Sequence, residues 1–318
     1  MKQTVLITGA AGFIGSHLIS SLIENNKIIC VDDFNDFYSP EIKRKNIEQY
    51  NNNPDFKLYE LDIAEYELLE KVFKENQVDK VVHLAARAGV RPSLIDPLLY
   101  TRTNINGTVN LLELSKNYNI PHFVFGSSSS VYGISDKVPF KEDFDIIRPI
   151  SPYAATKVAG EAIAYTYSHL YDMRIICLRF FTVYGARQRP DLAIHKFTRL
   201  IDNGKSIPVF GDGSAKRDYT YIDDIIQGVL AALNYDKVRY DIFNLGESRS
   251  IELSYLIELI EENLGKKAII DRKPSQPGDV PITYADITKA KSLLGYNPTT
   301  DIVDGIKEFV KWYKILNS

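Results

Sequence analysis

The chain has 318 residues, of which 45% are hydrophobic and 25% charged, and its formal net charge is -3. This length accommodates an α/β enzyme with one extended sheet and a smaller lobe. The small negative charge provides no attraction towards DNA, RNA or anionic lipid, so neither nucleic acid nor a membrane is predicted as a partner.

Short β-branched runs alternate with longer amphipathic segments in the first half of the chain, which predicts strands joined by helices. The predicted strands are Thr4–Thr8, Lys27–Asp32, Phe56–Leu61, Lys80–Ala85, His122–Ser127 and Arg174–Arg179, with a late strand at Tyr240–Leu245. Right-handed crossovers between such strands produce an α/β fold with a doubly wound parallel sheet. Ligands of these sheets bind at the carboxyl ends of the strands.

The two cysteines, Cys30 and Cys177, both fall within predicted buried strands. Free buried thiols are typical of a reducing compartment, and neither cysteine is predicted to act as a nucleophile or to bind metal. The apolar stretch from Val5 to Ile14 contains glycines and is too short for a signal peptide or a membrane span. A cytoplasmic location without a metal site is therefore predicted.

Proline and glycine interrupt the chain more often beyond Phe180, which predicts a smaller C-terminal lobe that captures the substrate. We predict a dinucleotide-binding domain at residues 1–180 that resumes at about 217–246. The substrate-binding lobe then comprises residues 181–216 and 247–318, with helices at Ser254–Leu264 and Ile302–Leu316.

The segment Thr8–Gly15 contains three glycines, follows the first strand and opens the first helix. Such glycines let the backbone approach a pyrophosphate, and the helix N-terminus adds free N–H groups and a positive dipole end. Asp32 ends the second strand, where a carboxylate accepts the ribose hydroxyls and repels a 2′-phosphate, so NAD is favoured over NADP. The sequence leaves open whether Asp32 or Asp33 faces the ribose, and the nearby Lys43 and Arg44 argue against a strict preference for NAD.

Tyr153 and Lys157 lie four residues apart near the start of a helix that is predicted to run to about Leu170. They share one face of that helix, so an ammonium is expected beside a phenol. A nearby positive charge lowers a tyrosine pKa and makes the phenol a usable base. The same spacing is common on ordinary amphipathic helices, so the assignment depends on the glycine-rich segment.

The fifth strand ends in the serine run Ser127–Ser130. The run places hydroxyl groups at the carboxyl edge of the sheet, where a substrate would bind. A strand end capped by serines is the alternative interpretation. Together with Tyr153 and Lys157, these hydroxyls are a suitable set for hydride chemistry.

These segments, together with His83–Ala86 and Arg179–Phe181, resemble the extended short-chain dehydrogenase/reductase family over nearly the whole chain. Further segments closely resemble the UDP-glucuronate 4-epimerases of that family: Ala88–Arg91, Arg179–Gly185, Arg187–Ala193, Gly211–Asp224 and Gln276–Asp286. The resemblance implies a Rossmann-like fold and an isomerase that keeps NAD bound. It would invert C4 of UDP-glucuronate to give UDP-galacturonate through a transient 4-keto intermediate.

The resemblance also implies roles for individual residues. It makes Tyr153 the base, Lys157 its electrostatic partner and ribose ligand, and Ser128 the hydroxyl nearest the sugar. The cofactor site would further comprise Gly9, Ala11, Gly12, Phe13, Ile14, Asp32, Asp33, Asn35, Asp62, Ile63, Leu84, Ala85, Ala86 and Asn104. The substrate site would comprise Arg91, Ser128, Ser129, Ser130, Thr182, Arg189, Pro208, Phe210, Arg217 and Asp279.

Within the substrate site, the resemblance implies that Pro208 and Phe210 border the uracil and that Arg217 and Asp279 hold the UDP phosphates and ribose. Arg189 would lie near the phosphates or the uronate carboxylate. Two positions depart from the family pattern: Arg87 stands where glutamine is usual, and Ala186 where proline is usual. Both leave room for a shifted substrate preference.

Two functional alternatives remain open at this stage. One is a 4-epimerase for a neutral sugar, UDP-glucose or UDP-N-acetylglucosamine. The other is a non-catalytic NAD-sensing protein on the same fold.

The helices around Pro97–Tyr118 and Ser151–Leu170 carry apolar residues beyond one narrow stripe. A second subunit could cover this surface, and the resemblance favours a homodimer with a four-helix interface. Burial of the same residues within one subunit is the alternative.

Overall fold

A computed structural model describes residues 2–135, 137–274 and 280–316. The strands are β1 (Gln3–Thr8), β2 (Asn26–Asp32), β3 (Phe56–Glu60), β4 (Lys80–His83), β5 (His122–Ser128), β6 (Arg174–Phe180), β7 (Thr182–Tyr184), β8 (Ser206–Phe210), β9 (Lys216–Tyr221), β10 (Tyr240–Leu245), β11 (Ser250–Glu252) and β12 (Ile269–Lys273). The α-helices are α1 (Phe13–Leu22), α2 (Pro40–Ile47), α3 (Tyr66–Glu75), α4 (Val90–Ile95), α5 (Pro97–Thr101), α6 (Gly107–Asn117), α7 (Pro152–Tyr171), α8 (Ala193–Asp202), α9 (Ile222–Leu233), α10 (Leu253–Leu264), α11 (Thr288–Leu294) and α12 (Ile302–Leu316).

The main sheet has the strand order β10-β6-β5-β4-β1-β2-β3, and its neighbouring strands are parallel. The predicted doubly wound, Rossmann-like sheet is therefore confirmed. The strand order reverses between β1 and β4, which is the point where this class of sheet binds its ligands. The predicted late strand at Tyr240–Leu245 also joins this sheet, because β10 pairs with β6.

The central strands of the main sheet are covered on both faces by helices, so their sequences are mostly apolar. Phe123 and Val124 of β5, for example, are both 0% exposed. The predicted burial of both cysteines is confirmed, since Cys30 in β2 and Cys177 in β6 are buried free thiols. Within the described residues, each helix is too short or too polar to cross a lipid bilayer.

The rest of the chain forms smaller sheets, β11-β9-β7 and β12-β8, which pack with helices around a second core. The predicted helices of this region are present as α10 and α12. In β8 the side chains alternate, so Ile207 and Val209 are buried while Pro208 and Phe210 lie on the opposite, more accessible face. The proposed division into two domains stays a prediction.

A π-helical turn, Arg102–Asn106, connects α5 to α6 within the predicted helical region around Pro97–Tyr118. Turns of this kind are rare and often occur at functional sites. The turn here holds Thr103, whose side chain borders the main cavity described below.

Two acidic side chains, one buried and one partly buried, lie close together at β9 and just after β10. Asp218 is 0% exposed and accepts hydrogen bonds from the backbone N–H groups of Glu247, Ser248 and Ala285. Burial raises the pKa of Asp218 to about 6. Burial and the charges of Asp224 and Asp218 raise the pKa of Glu247 to about 7, and its Oε2 atom has no hydrogen-bond partner among the described residues.

These pKa values make stability depend on pH. A carboxyl group whose pKa is raised in the folded state binds its proton more tightly there than in the unfolded chain. Its contribution to the free energy of unfolding therefore declines as pH rises from its pKa in the unfolded chain to its pKa in the folded protein. The two carboxyl groups therefore contribute a fall in stability between about pH 4.5 and pH 7, against the opposite contribution of His17, His83 and His122, whose pKa values burial lowers. Compared with the unaltered protein, Glu247→Gln should remove its part of this fall, so its melting temperature should rise more, or fall less, with pH in thermal scans, whereas Glu258→Gln, on the exposed face of α10, should leave the pH dependence unchanged. Equal slopes in the two variants would contradict this account.

Candidate functional site

The glycine-rich segment brings the ends of β1 and β4 into close contact. Gly9 has φ +65, and a Cβ atom there would lie 2.7 Å from the backbone nitrogen of Ala85. Gly9 also donates its backbone N–H to the carbonyl of Val31, at 2.9 Å. Only glycine fits this conformation and this contact, so the turn leaves room for a phosphate group next to the backbone.

The first turn of α1 begins at Phe13, directly after Gly12, and no side chain caps it. Its unsatisfied N–H groups and the positive end of the helix dipole can therefore bind an anion. Gly12, Phe13 and Ile14 border the main cavity, so this helix end faces the space in which a dinucleotide would lie.

Asp32, at the end of β2, is 6% exposed and is held by two backbone groups. Its Oδ2 accepts from the N–H of Ala11 at 3.1 Å, and its Oδ1 accepts from the N–H of Phe34 at 3.0 Å. Burial raises its pKa. The side chain of Asp33 instead accepts from Asn35, and both carboxylates border the cavity. Ala11 itself is buried, and its backbone N–H helps to position the carboxylate of Asp32.

The main cavity measures about 390 Å³ and runs along the carboxyl ends of β1, β2, β4 and β5. It brings together many of the residues that were predicted to bind cofactor or substrate or to act in catalysis. Those residues are Gly9, Gly12, Phe13, Ile14, Asp32, Asp33, Asn35, Asp62, Ile63, Leu84, Ala85, Ala86, Ser128, Ser129, Ser130, Tyr153, Lys157, Thr182 and Arg189.

A second cavity of about 210 Å³ adjoins the first. It shares Ser129, Ser130 and Thr182 with the main cavity and extends to Arg217. Ser129, Ser130 and Thr182 therefore lie between the two cavities. The glycine-rich segment lines the main cavity, and Arg217 lines the second cavity.

Tyr153 lies in the first turn of α7. The turn is capped by Ser151, whose side chain accepts from the N–H of Ala154 at 3.1 Å. Lys157, one turn later, is 4% exposed and donates from Nζ to the carbonyl of Gly126 at 2.6 Å. Burial lowers the pKa of Lys157 to about 8, although the charge of Glu161 opposes this shift. The predicted catalytic helix is thus present, and both side chains border the main cavity.

The expected lowering of the Tyr153 pKa by the protein's own groups is wrong. Burial raises the pKa of Tyr153, while a hydrogen bond with Ser128 and the charge of Arg189 lower it. The ammonium of Lys157 is directed to the Gly126 carbonyl. Desolvation exceeds the effect of these neighbours because the phenolate would lose most of its hydration.

A buried polar network that sequence reasoning missed lies behind Lys157. Arg179 of β6 donates from Nε and Nη2 to the carboxylate of Glu161, at 2.9 and 2.8 Å. Ser127 donates to the same carboxylate, and Arg179 also donates to the hydroxyl of Tyr132 at 2.9 Å. The available signal was the position of Glu161, four residues after Lys157 on the same face of α7.

Asn104 was predicted to bind the cofactor, but its side chain holds the cavity wall from behind. It is 3% exposed, and it both accepts from the N–H of Arg87 at 2.8 Å and donates to the carbonyl of Arg87 at 2.9 Å. It also donates to the hydroxyl of Thr156, at 3.0 Å. Asn104 therefore connects the loop after β4 to the helix that carries Tyr153 and Lys157.

The remaining predicted substrate residues are more dispersed. The guanidinium of Arg91 lies over the ring of Phe210, at 4.4 Å from its centre. Pro208 and Phe210 lie on β8 and are not among the residues that border the two cavities. Arg189 pairs with Asp191, at 3.0 Å from Nε and 2.7 Å from Nη2. Asp279 lies outside the described residues.

The two departures from the family pattern lie in different environments. Arg87 borders the main cavity. Ala186 presents its carbonyl to His17 of α1, at 2.9 Å from Nε2. Proline has the same backbone carbonyl, so a proline at position 186 could make the same contact with His17.

Comparisons with known proteins agree with this architecture. Residues 6–309 match the family model described as GDP-mannose 4,6 dehydratase. The chain is 42% identical to a UDP-glucuronate 4-epimerase of Thermodesulfobacterium geofontis, over 97% of this chain and 95% of that protein.

Solved structures of similar proteins superpose over nearly the whole chain. A UDP-glucuronic acid 4-epimerase from Bacillus cereus, in complex with UDP-glucuronic acid and NAD, has a TM-score of 0.93 and 38% identity, covering 99% of this chain and 100% of that one. A UDP-glucose 4-epimerase from Thermotoga maritima, with UDP-glucose, has a TM-score of 0.91 and 33% identity, with the same coverage.

Proposed function

The chain belongs to the extended short-chain dehydrogenase/reductase family, as an NAD-dependent UDP-sugar 4-epimerase, and we propose that its substrate is UDP-glucuronate, which it interconverts with UDP-galacturonate. The observation that carries the proposal is a single cavity that contains the glycine-rich turn, Asp32, Ser128, Tyr153 and Lys157. A nucleotide site and an acid–base pair at one sheet edge fit this reaction class.

The residues of the main cavity fit NAD. The close approach at Gly9 and the uncapped start of α1 suit a pyrophosphate, and the buried carboxylate of Asp32 suits a ribose diol. When bound, NAD supplies a site that takes a hydride from C4 of the sugar and later returns it. The reaction then consumes no external reductant.

The protein side chains handle the proton and the developing charge. Tyr153 takes the proton of the C4 hydroxyl when the sugar is oxidised and gives it back when the 4-keto group is reduced. Ser128, which borders the same cavity and lowers the pKa of Tyr153, is placed to bridge to the same hydroxyl. Lys157 provides a positive charge one helical turn away, and Glu161 favours its protonated form.

The inversion requires the 4-keto sugar to turn while its UDP end stays in place. The second cavity, which reaches Arg217, is suited to hold a diphosphate because guanidinium groups bind phosphate oxygens well. The sugar would then rotate near the boundary formed by Ser129, Ser130 and Thr182.

A uronate adds a chemical hazard, because a C4 ketone makes the C6 carboxylate part of a β-keto acid that can lose carbon dioxide. The site must therefore hold this carboxylate away from alignment with the ketone. Hydroxyl donors at Ser128–Ser130 and Thr182, with the charge of Arg189, border the same cavity and are suited to hold an anion. This charge and these short donors favour glucuronate over a neutral sugar.

We expect Thr182→Val and Arg189→Ala to increase the ratio of decarboxylated 4-keto pentose to epimer by about tenfold, because a hydrogen bond to a charged group contributes about 1.5–3 kcal/mol. Products from UDP-glucuronate would be separated by liquid chromatography. Arg187→Ala is the matched control, since Arg187 donates to the carbonyl of Ser16 on α1 and does not border the cavity. Unchanged product ratios in both test variants would reject this role.

The substrate assignment is tested by incubating the purified protein, without added cofactor, with UDP-glucuronate, UDP-glucose and UDP-N-acetylglucosamine. Epimerisation of UDP-glucuronate at the highest kcat/KM supports the proposal. Faster turnover of UDP-glucose would instead support the neutral-sugar alternative, to which the likeness to the Thermotoga maritima structure points. Bound NAD without turnover of any of the three would favour the non-catalytic alternative.

The expected homodimer and the cytoplasmic location stay predictions. Leu98 of α5 is 80% exposed and Tyr165 of α7 is 55% exposed, so both expected interface helices carry accessible apolar side chains. Such side chains are consistent with a surface that a second subunit covers.

A further inference from the structure

We propose that Arg87 binds a phosphate group of the nicotinamide dinucleotide and thereby helps to retain the cofactor. The inference rests on the proposed function, because it takes a dinucleotide as the occupant of the main cavity. Arg87 follows β4 and borders this cavity together with Asp33, Asn35 and Lys43.

The guanidinium of Arg87 has more hydrogen-bond donors than its neighbours use. Nη1 donates to the amide oxygen of Asn35 at 3.2 Å, and Nη2 lies 3.9 Å from the carboxylate of Asp33, beyond hydrogen-bond distance. Nε is buried and donates no hydrogen bond within the described part of the chain. Arg87 as a whole is partly exposed, but a buried donor without a partner is costly unless an acceptor such as an anion completes its environment.

The nearby carboxylates are already engaged by other groups. Asp33 accepts from both the backbone and the side chain of Asn35. Asp32 accepts from two backbone N–H groups, and Asp191 is paired with Arg189. Among the described residues none of these carboxylates accepts a hydrogen bond from Arg87, although Asp33 Oδ2 lies 3.9 Å from its Nη2, so donors of Arg87 remain available to an anion from outside the chain.

Further positive charge lies around the same part of the cavity. Lys43 is 4% exposed and donates to the carbonyl of Asn35 at 2.8 Å. Burial lowers the pKa of Lys43, the charges of Asp32 and Asp33 oppose this shift, and the charges of Arg87 and Arg189 act on Lys43 more weakly, so the three cations share this region with two carboxylates. A phosphate group bound at Arg87 would be attracted by these three cations.

The backbone of Arg87 is positioned from behind by Asn104, whose amide hydrogen-bonds to both its N–H and its carbonyl. Because Asn104 also bonds to Thr156, between Tyr153 and Lys157, the residue that would hold the phosphate is connected to the catalytic helix. Anchoring the dinucleotide at Arg87 would thus set its position relative to Tyr153.

The test measures binding rather than turnover. NAD, ADP-ribose, adenosine, NADP and 2′-phospho-ADP-ribose would be titrated calorimetrically into cofactor-stripped protein, for the unaltered chain and for Arg87→Gln and Arg87→Ala. Arg44→Gln is the matched control, because Arg44 is an exposed cation of the same region that pairs with Glu60 and does not border the cavity. Melting temperatures without ligand would show that each variant is folded.

We expect Arg87→Gln to weaken binding of NAD and ADP-ribose by about tenfold or more, while adenosine binding and the Arg44→Gln variant change little. Such a result identifies the pyrophosphate as the group bound. A loss confined to NADP and 2′-phospho-ADP-ribose supports phosphate binding but identifies the 2′-phosphate instead. An equal loss for adenosine, or no loss for any ligand, would overturn the inference. If the unaltered protein bound no dinucleotide, the proposed function itself would fail.

Discussion

Tyr153→Phe is expected to lower kcat for epimerisation by about 10²- to 10⁴-fold, the range in which general acid–base catalysis contributes. The substitution removes a single oxygen atom from a side chain that borders the main cavity, and leaves the ring in place. Without that oxygen, no group of the catalytic helix can take the proton of the C4 hydroxyl, since Lys157 is directed to the carbonyl of Gly126. Turnover of UDP-glucuronate would be followed by chromatography of the sugar products.

Tyr100→Phe is the matched control for this variant. The ring of Tyr100 packs against that of Tyr153 with 6.2 Å between ring centres, and its hydroxyl donates to the carbonyl of Ala88 at 2.8 Å. Removing this second phenol oxygen should affect stability more than kcat. Binding of UDP and NAD should survive in both variants, which separates a chemical defect from a folding defect. If Tyr153→Phe retained more than about a tenth of the activity, the phenol of Tyr153 would not be the base that takes the C4 hydroxyl proton.

The sequence predicted the parts of the fold that depend on local pattern. The apolar strands, the glycine-rich turn and the rejoining of Tyr240–Leu245 all follow from hydrophobic runs and their punctuation, and the sheet confirms them. The ends of strands were less accurate. The strand predicted at Lys80–Ala85 ends at His83, because the residues beyond it form the cavity wall.

Properties that depend on the three-dimensional environment could not be predicted in the same way. The spacing of Tyr153 and Lys157 indicated a shared helix face, but the direction of the Tyr153 pKa depends on how completely α7 removes water from the phenol. Similarly, no local pattern reveals that the amide of Asn104 bonds to both Arg87 and Thr156. Long-range contacts decide both outcomes.

Replacing Arg179 by methionine is expected to lower the free energy of unfolding by about 3–5 kcal/mol, because the carboxylate of Glu161 would remain buried without its partner. The side chains of Arg179 and Glu161 are 1% and 3% exposed, and their two hydrogen bonds leave little access for water. Since domains are typically stable by about 5–15 kcal/mol, this loss would be a large share of the total. Urea unfolding followed by circular dichroism would measure it.

The pair is distinguished from ordinary surface ion pairs by two further variants. Arg239→Met breaks the ion pair between Arg239 and Asp172. Because these two side chains are 69% and 72% exposed, the loss of this pair should change stability little. The double variant Glu161→Leu/Arg179→Met removes both buried charges and should recover part of the loss seen in Arg179→Met. The double variant should nevertheless lower the pKa of Lys157 further, because Glu161 is the group that favours its protonated form. If Arg179→Met were as stable as the unaltered protein, water would have to reach Glu161, and the closed network behind Lys157 would be wrong.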